Sequence, residues 1–113
     1  MAEVMSDEEF RDSGGRNTVF IGRQKPVMSY VLTTLTCLNN SPDVILKARG
    51  AAISLAVDVA QITIHRFAPS LRVADIKLGT EQLQSEEGGT RNVSSIEIRL
   101  TYPPEGQGES GKA

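Results

Sequence analysis

Two pairs of cations stand where a predicted strand turns into a predicted helix. Lys47 and Arg49 are two residues apart near the end of one strand, so their side chains point the same way. Arg23 and Lys25 flank Gln24 in a loop that ends at a proline. Lys and Arg on strand ends and loops neutralise nucleic-acid phosphates and release their counterions. The spacing therefore favours electrostatic binding to a polyanion.

The sequence contains no set of residues that supports catalysis or metal binding as the basic pairs support polyanion binding. Asp58 and His65 are seven residues apart on a predicted helix and share a face, but no nucleophile with a base and an orienting group accompanies them. No glycine-rich phosphate-binding motif follows a strand. Cys37, the single cysteine, lies in an apolar helical pattern that predicts a buried structural thiol. We therefore predict no enzyme, metal, cofactor or small-molecule substrate.

The formal net charge of −2 is unevenly distributed along the 113 residues. Residues 1–15 hold five acids against one arginine, and residues 103–113 hold two acids against one lysine. Residues 16–102 hold ten Lys or Arg against seven acids, a mildly basic balance that supports nucleic-acid contact. Few apolar groups predict a disordered acidic arm over 1–15, and the Gly-rich residues 103–113 predict a flexible tail.

Cysteine usage and hydropathy indicate a cytoplasmic protein. One cysteine rules out an intramolecular disulfide framework and suits a reducing compartment. No stretch approaches the roughly 18 apolar residues of a membrane span, and the acidic N-terminus does not resemble a secretory signal. We expect no membrane partner.

Hydrophobic periodicity predicts one α/β domain over residues 16–102 in the order β-α-β-α-β-β. This order indicates a two-layer α+β sandwich, with two helices on one face of a four-stranded mixed sheet and a protruding β-hairpin that carries Arg91 near its tip. Period-two alternation in the third strand places Val73 on the face opposite Ile76. Strands are predicted over 18–21, 43–49, 73–84 and 92–102, and helices over 26–38 and 51–67.

Several motifs in one order resemble the Alba family of archaeal chromatin proteins. They are IGRQKPVMSYVLTTLTCLNN, VILKARGAAISLAVDVA, HRFAP and, after a Gly-rich hairpin, VSSIEIRL. The similarity covers about residues 17–101. It implies a fold shared with the C-terminal domain of a bacterial translation initiation factor, and a homodimer that binds double-stranded DNA and also RNA.

The resemblance implies positions for these contacts. In the family, cations of the first loop lie over the DNA backbone at the centre of the dimer footprint. The cationic C-terminal part of the second strand corresponds to Lys47 and Arg49. The hairpin arm, here Gln84–Asn92, reaches into the minor groove, and Phe67 matches an aromatic contact between dimers. The predicted nucleic-acid contacts are Arg23, Gln24, Lys25, Lys47, Arg49, Arg91, Asn17 and Asn92.

The loop after the first strand departs from the family pattern. Many members read I-G-K-K-P with an acetylatable lysine pair, whereas this chain carries Arg23, Gln24 and Lys25 before its proline. The loop is one residue longer, and arginine is not neutralised by lysine acetylation. Acetylation is therefore confined to Lys25 as the modification candidate.

Three functions remain open at this point. A sequence-tolerant architectural protein would coat or compact chromosomal DNA as a homodimer, with higher assembly on DNA. An RNA-binding subunit of a ribonuclease P-like complex would use the same electrostatic surface. A protein-interaction module using the second helix would bind with little response to salt. Structural alternatives also stand, since Lys47 and Arg49 suit a solvated strand face and Phe67 suits the core.

Overall fold

The computed structural model describes residues 2–5, 17–85 and 87–103, and for 2–5 it describes the backbone alone. Within these ranges two helices pack on one mixed sheet, which confirms the predicted fold class. From residue 18 onward the element order is the predicted β-α-β-α-β-β, and an additional strand over residues 2–5 makes the sheet five-stranded rather than four-stranded. A 3-10 turn over Gly50–Ala52 precedes the second helix, and a π-helical turn over Thr63–Phe67 extends it. In chain order the elements are β1 (Ala2–Met5), β2 (Thr18–Phe20), α1 (Val27–Asn40), β3 (Asp43–Arg49), α2 (Ile53–Ile62), β4 (Arg72–Gln84) and β5 (Thr90–Thr101).

The strands lie in the order β1-β4-β5-β3-β2. β1 is parallel to β4 and β2 is parallel to β3, while β5 lies antiparallel between β3 and β4. The register pairs Leu46 with Ile98 and Arg49 with Ser95. Because β3 and β4 both run against β5, they run in the same direction, and their carboxyl ends meet at one end of the sheet.

The core lies between the helices and one face of the sheet. Val44, Leu46 and Ala48 alternate along β3 and are buried, as period-two patterning predicts. Ala52 and Ala56, one helical turn apart, are also buried, and their small side chains let the helix approach the sheet closely. The buried apolar residues are Val19, Ile21, Tyr30, Val31, Val44, Leu46, Ala48, Ala52, Ala56, Val59, Ala60, Ala68, Leu71, Ile96, Ile98 and Leu100.

The first helix starts and ends where its sequence signals lie. Pro26 precedes α1 with a φ of −63°, which suits a helix start, where its missing N–H would have no partner. Val31 and Thr34 are fully buried and three residues apart on one face. The Thr34 hydroxyl donates a hydrogen bond to the Tyr30 carbonyl oxygen at 2.8 Å, so its burial leaves no unpaired group. The helix ends at Asn40, before a Ser-Pro pair.

The N-terminal residues differ from the expected disordered arm over 1–15. Ala2–Met5 form a strand whose residues pair in parallel with Ile76–Gly79 on β4. The expectation rested on composition, whereas an edge strand gains its hydrogen bonds from the backbone of an otherwise unpaired neighbour. The prediction does not hold for these four residues, and residues 6–16 and 104–113 lie outside the described part of the chain.

A β-bulge in β4 alters the predicted alternation. The register shifts just after Val73, so Val73 pairs with Leu100 and Ile76 pairs with Ile98. An inserted residue of this kind returns the following side chains to the same face, and the prediction that Val73 and Ile76 face opposite ways is wrong. The helices pack mainly on β2, β3 and β5. Val73 and Leu78 therefore remain exposed on the helix side of β4.

The side of the sheet away from the helices, here called the outer face, carries alternating charges. Lys47, Glu97 and Lys77 are register partners across β3, β5 and β4. In the next row Arg99 pairs with Asp75. Opposite charges directly across neighbouring strands stabilise a sheet. The outer face therefore carries acids and bases in register, and Arg99 forms an ion pair with Asp43 at 3.4 Å.

Candidate nucleic-acid interface

Strand direction brings the cation-bearing segments to one end of the sheet. β2, β3 and β4 run in the same direction, and β5 starts where they end. Loop 22–26, the turn at 49–50 and the hairpin segments 80–85 and 87–94 therefore lie at the same end of the sheet, and we call this region the basic end. Predicted contacts from three separate parts of the chain meet there, namely Arg23, Gln24, Lys25, Arg49, Arg91 and Asn92.

The first loop presents exposed cations on an anchored base. Arg23, Gln24 and Lys25 are exposed, whereas Tyr30 on α1 is buried. The Gly22 N–H donates a hydrogen bond to the Tyr30 hydroxyl oxygen at 3.2 Å, and Lys25 Nζ lies 6.0 Å from the centroid of the same ring. A cation–π contact at an exposed site contributes about 0.5–1 kcal/mol. Among the described residues neither cation forms an ion pair, so their charges face solvent.

Lys47 lies in a different environment, although it belongs to the second basic pair. Its side chain projects from the outer face, yet the residue is 0% exposed. Its Nζ lies 5.3 Å from the ring centroid of Phe20, the register neighbour on β2, and its partner on β5 is the buried Glu97. Lys47 is thus buried, although it lies on a face of the sheet that no helix covers. Its predicted contact with nucleic acid stays a prediction that requires this part of the outer face to open.

Arg49 ends β3 and reaches across the sheet to β4. Its Nη1 donates a hydrogen bond to Glu81 Oε1 at 2.5 Å. The Arg49 side chain is 53% exposed and the Glu81 side chain 1% exposed. The residues in the register row of Arg49 are Ser95 and Gly79, whose small size leaves room for the arginine to cross. The guanidinium is therefore held from beneath by a carboxylate and open to solvent above.

Gly50 makes the tight turn that its position in the sequence predicts. Its φ of +61° is in the left-handed region, where residues with a Cβ are strained. A Cβ at this position would lie 3.3 Å from Val93 Cγ1 on β5, closer than ordinary van der Waals contact. The turn after Arg49 is thus packed against the base of the hairpin.

The β4–β5 hairpin extends beyond the rest of the sheet as an arm. β3 ends opposite Ser95, whereas Thr80–Gln84 continue to pair with Thr90–Ser94. Five residues per strand correspond to a reach of roughly 17 Å at about 3.4 Å per residue. Arg91 and Asn92 are exposed near its tip. The predicted arm is present, and Arg91 is exposed near its tip.

Two predicted contacts lie away from the basic end. Asn17 precedes β2 at the opposite end of the sheet, and its side-chain amide donates to Asp43 Oδ1 at 2.8 Å. Phe67 ends the π-helical turn after α2, which runs back along the sheet to reach the start of β4. Phe67 is 47% exposed and is not part of the core. Asn17 and Phe67 therefore belong to a different surface, and their predicted roles stay predictions.

The remaining polar candidates show no arrangement for catalysis. His65 is exposed on the helix side, with Nε2 3.0 Å from Oε1 of Gln61. Cys37 is half-buried rather than fully buried. In the part of the chain that the structure describes, no group of three or more His, Cys, Asp or Glu side chains is placed to hold a metal ion. Across the same residues no helix is long and apolar enough to cross a membrane.

Sequence reasoning missed Glu81. This residue lies between Thr80 and Gln82 in a polar stretch of β4, where no spacing distinguishes it from an ordinary surface acid. Only the pairing of β4 and β5 with β3 brings its carboxylate to Arg49.

Sequence comparison places this architecture among known proteins. The family model of Alba matches residues 17–80. DNA/RNA-binding protein Alba 1 of Archaeoglobus fulgidus is 58% identical over 85 residues, which cover 74% of this chain and 93% of that protein. DNA/RNA-binding protein Alba of Thermoplasma acidophilum is 54% identical over 86 residues, which cover 75% of this chain and 94% of that protein.

Solved structures agree with the sequence comparison. Alba from Thermoplasma volcanium has a TM-score of 0.71 at 52% identity, covering 75% of this chain and 99% of that chain. ALBA1 from Trypanosoma brucei has a TM-score of 0.65 at 25% identity, covering 81% of this chain and 74% of that chain. The relatives are named as binding proteins, which confirms the prediction of a non-enzyme. This chain belongs to the Alba family.

Proposed function

We propose that this protein binds double-stranded DNA with little sequence preference, and coats or compacts chromosomal DNA in the cytoplasm as a homodimer. The basic end is the observation that supports this proposal, because exposed cations of loop 22–26, half-exposed Arg49 and the arm with Arg91 lie at one end of the sheet. Relatives named as DNA/RNA-binding proteins support the same class of ligand.

The loop cations bind the phosphate backbone in this proposal. Arg23 and Lys25 face solvent from a loop anchored on Tyr30, so little ordering is required when a phosphate replaces water. Gln24 between them has both donors and acceptors for phosphate or sugar oxygens. Contacts of this type position a protein on a duplex without reading its sequence.

The arm contacts the minor groove in this proposal. Its reach of roughly 17 Å exceeds the depth of the groove, about 7.5 Å, so the tip follows the groove while the loop stays on the backbone. Arg91 and Asn92 supply a cation and an amide, which suit the phosphate edge and the base acceptors of that groove. Contacts of this kind do not require a particular DNA sequence.

The homodimer uses the uncovered helix side of β4. Val73 and Leu78 are exposed there, and exposed apolar side chains of this kind mark interaction surfaces. A two-fold dimer doubles the footprint, with two loops and two arms. We expect sedimentation to show a dimer for the wild type and a monomer for Leu78→Asp. Leu32→Asp, at an exposed leucine of α1, is the control and should remain dimeric. A wild-type monomer at micromolar concentration would contradict this interface.

The DNA function is tested by titrating a fluorescent duplex of arbitrary sequence at several salt concentrations. Logarithmic affinity should fall with logarithmic salt by about 0.9 for each phosphate neutralised. The double variant Arg23→Ala, Lys25→Ala should lose affinity and part of this slope. The matched control Arg66→Ala, Arg99→Ala removes the same charge away from the basic end and should retain both.

A structured RNA competitor separates the two nucleic acids. We expect duplex DNA to be retained when RNA is added at equal nucleotide concentration. Preferential loss of DNA to the RNA would support an RNA-binding subunit of a ribonucleoprotein instead. Binding that does not respond to salt would indicate a protein-interaction module, and absence of binding at low salt would overturn the proposed function.

A further inference from the structure

The Arg49–Glu81 pair joins a predicted phosphate contact to a carboxylate that sequence reasoning did not find. We propose that Glu81 positions Arg49 for a nucleic-acid phosphate, rather than competing with that phosphate. The inference rests on the function proposed above and assigns a role to a residue that itself contacts no ligand.

The two partners differ in burial, which decides between these roles. The Glu81 side chain is 1% exposed, whereas the Arg49 side chain is 53% exposed. A guanidinium has five N–H donors in a rigid fork, and the structure uses one of its nitrogens, Nη1, for Glu81 Oε1. The carboxylate therefore holds the inner side of the guanidinium, and donors on the outer side remain accessible to a phosphate.

Moving Arg49 away from Glu81 to bind a phosphate would be energetically unfavourable. Glu81 Oε2 is buried and has no hydrogen-bond partner among the described residues. Departure of Arg49 would leave a buried carboxylate with neither of its oxygens compensated, which is strongly destabilising. A phosphate consequently binds the arginine on top of the existing pair and does not replace Glu81.

The surrounding backbone fixes the same geometry. Ser95 and Gly79 provide the gap through which Arg49 crosses from β3 to β4. The following Gly50 packs against Val93, the register partner of Glu81 at the base of the arm. Backbone and side chain of Arg49 are thus both attached to the arm, so the arginine keeps a set position relative to the groove-binding segment.

The substitution Glu81→Gln distinguishes positioning from simple electrostatics by its sign. Removing a negative charge near a phosphate site raises affinity if only charge matters. Positioning predicts the opposite, because an uncharged amide no longer orients the guanidinium. We expect duplex affinity to fall about fivefold and the salt slope to fall by about 0.9 for each phosphate that Arg49 no longer neutralises. Partial unfolding lowers the active fraction without changing that slope, which makes the slope the decisive readout.

Three further variants complete the experiment on the full-length protein. Asp58→Asn changes charge equally on the exposed surface of α2 and should leave affinity and slope unchanged. Arg49→Gln should lower the slope like Glu81→Gln, and combining both should lower it no further. If Glu81→Gln fails to fold, Ser95→Val fills the gap that Arg49 crosses, retains both charges and should give the same loss of slope.

Two results would overturn the inference while leaving the proposed function intact. One is tighter duplex binding by Glu81→Gln, which would identify Glu81 as a competitor. The other is wild-type affinity and slope in Glu81→Gln, which would leave the ion pair a structural feature only. A wild-type protein without salt-dependent binding would instead overturn the proposed function, and this inference with it.

Discussion

The two basic turns carry the same sequence pattern and differ in what surrounds them. After β2, Arg23 and Lys25 face solvent, and the loop is anchored by Tyr30 on a helix. At the end of β3, Lys47 is buried beside Phe20, and Arg49 is paired with a buried carboxylate. One turn therefore has free charge, whereas the other has charge that is partly used within the protein.

The difference follows from position in the sheet. β2 is an edge strand, and its loop has a helix below and solvent above. β3 lies between β2 and β5, so its side chains meet partners from both sides. Cations on an inner strand lie beside side chains of neighbouring strands or, as Arg49 does with Glu81, reach across one strand to a partner on the next. The cations in the edge loop remain available to a ligand. Equal spacing in a sequence does not imply equal accessibility.

The largest expected effect is the loss of stability when the buried lysine is truncated. Lys47→Ala should lower the free energy of unfolding by about 3 kcal/mol, because it empties a fully buried site and removes the contact with Phe20. Lys25→Ala, at the exposed turn, should change it by less than about 0.5 kcal/mol. Urea denaturation of both variants measures the contrast. Equal stability losses would show that burial does not distinguish the two lysines.

The two turn glycines give an intermediate effect. Gly50→Ala should lower the free energy of unfolding by about 1–2 kcal/mol, since its φ is +61° and the new Cβ crowds Val93. At Gly22 a Cβ would meet the Tyr30 hydroxyl oxygen at 3.7 Å, an ordinary contact. Gly22→Ala should therefore shift stability by less than about 1 kcal/mol in either direction. Thermal unfolding of the pair tests the ranking, and its reversal would contradict the assigned strain.

Acetylation of Lys25 should produce the smallest effect, and this effect concerns DNA binding rather than stability. Acetyl-lysine installed at this position removes one exposed charge and the cation–π contact with Tyr30. The salt slope of duplex binding should fall by about 0.9 for each phosphate that is no longer neutralised, while Arg23 retains its charge. Arg66→Gln removes one charge elsewhere and should have no effect. Equal affinity and slope after quantitative acetylation would exclude Lys25 as a regulatory site.

Local patterns were sufficient for the elements of this fold. The alternation from Val44 to Arg49 predicted β3 correctly, and Gly50 predicted the turn that follows it. The strand assignment also placed Lys47 and Arg49 on one face, which the structure bears out. Each of these features depends on residues adjacent in the chain, which is the range over which periodicity and turn propensity act.

Local periodicity and turn residues could not predict which side chains meet across strands. Lys47 is buried on the outer face, where β2 and β5 place Phe20 and Glu97 beside it, and local periodicity does not predict either register. The contact between Glu81 and Arg49 is likewise not predicted by local periodicity. Ala2–Met5 were assigned by composition to a disordered segment, although pairing with an edge of β4 requires only backbone groups. Register and edge pairing are properties of the assembled sheet.

The first strand has a consequence for how copies of this protein coexist at high density. An uncovered sheet edge offers unpaired N–H and C=O groups to a strand of any neighbouring molecule. Here the long β4 is covered by β1 along Ile76–Gly79, and the opposite edge, β2, is only three residues long. In the described part of the chain, one margin of the sheet therefore ends in the four-residue β1 and the other in the three-residue β2. Strands this short offer few backbone groups to a neighbouring copy, which disfavours edge-to-edge pairing between molecules.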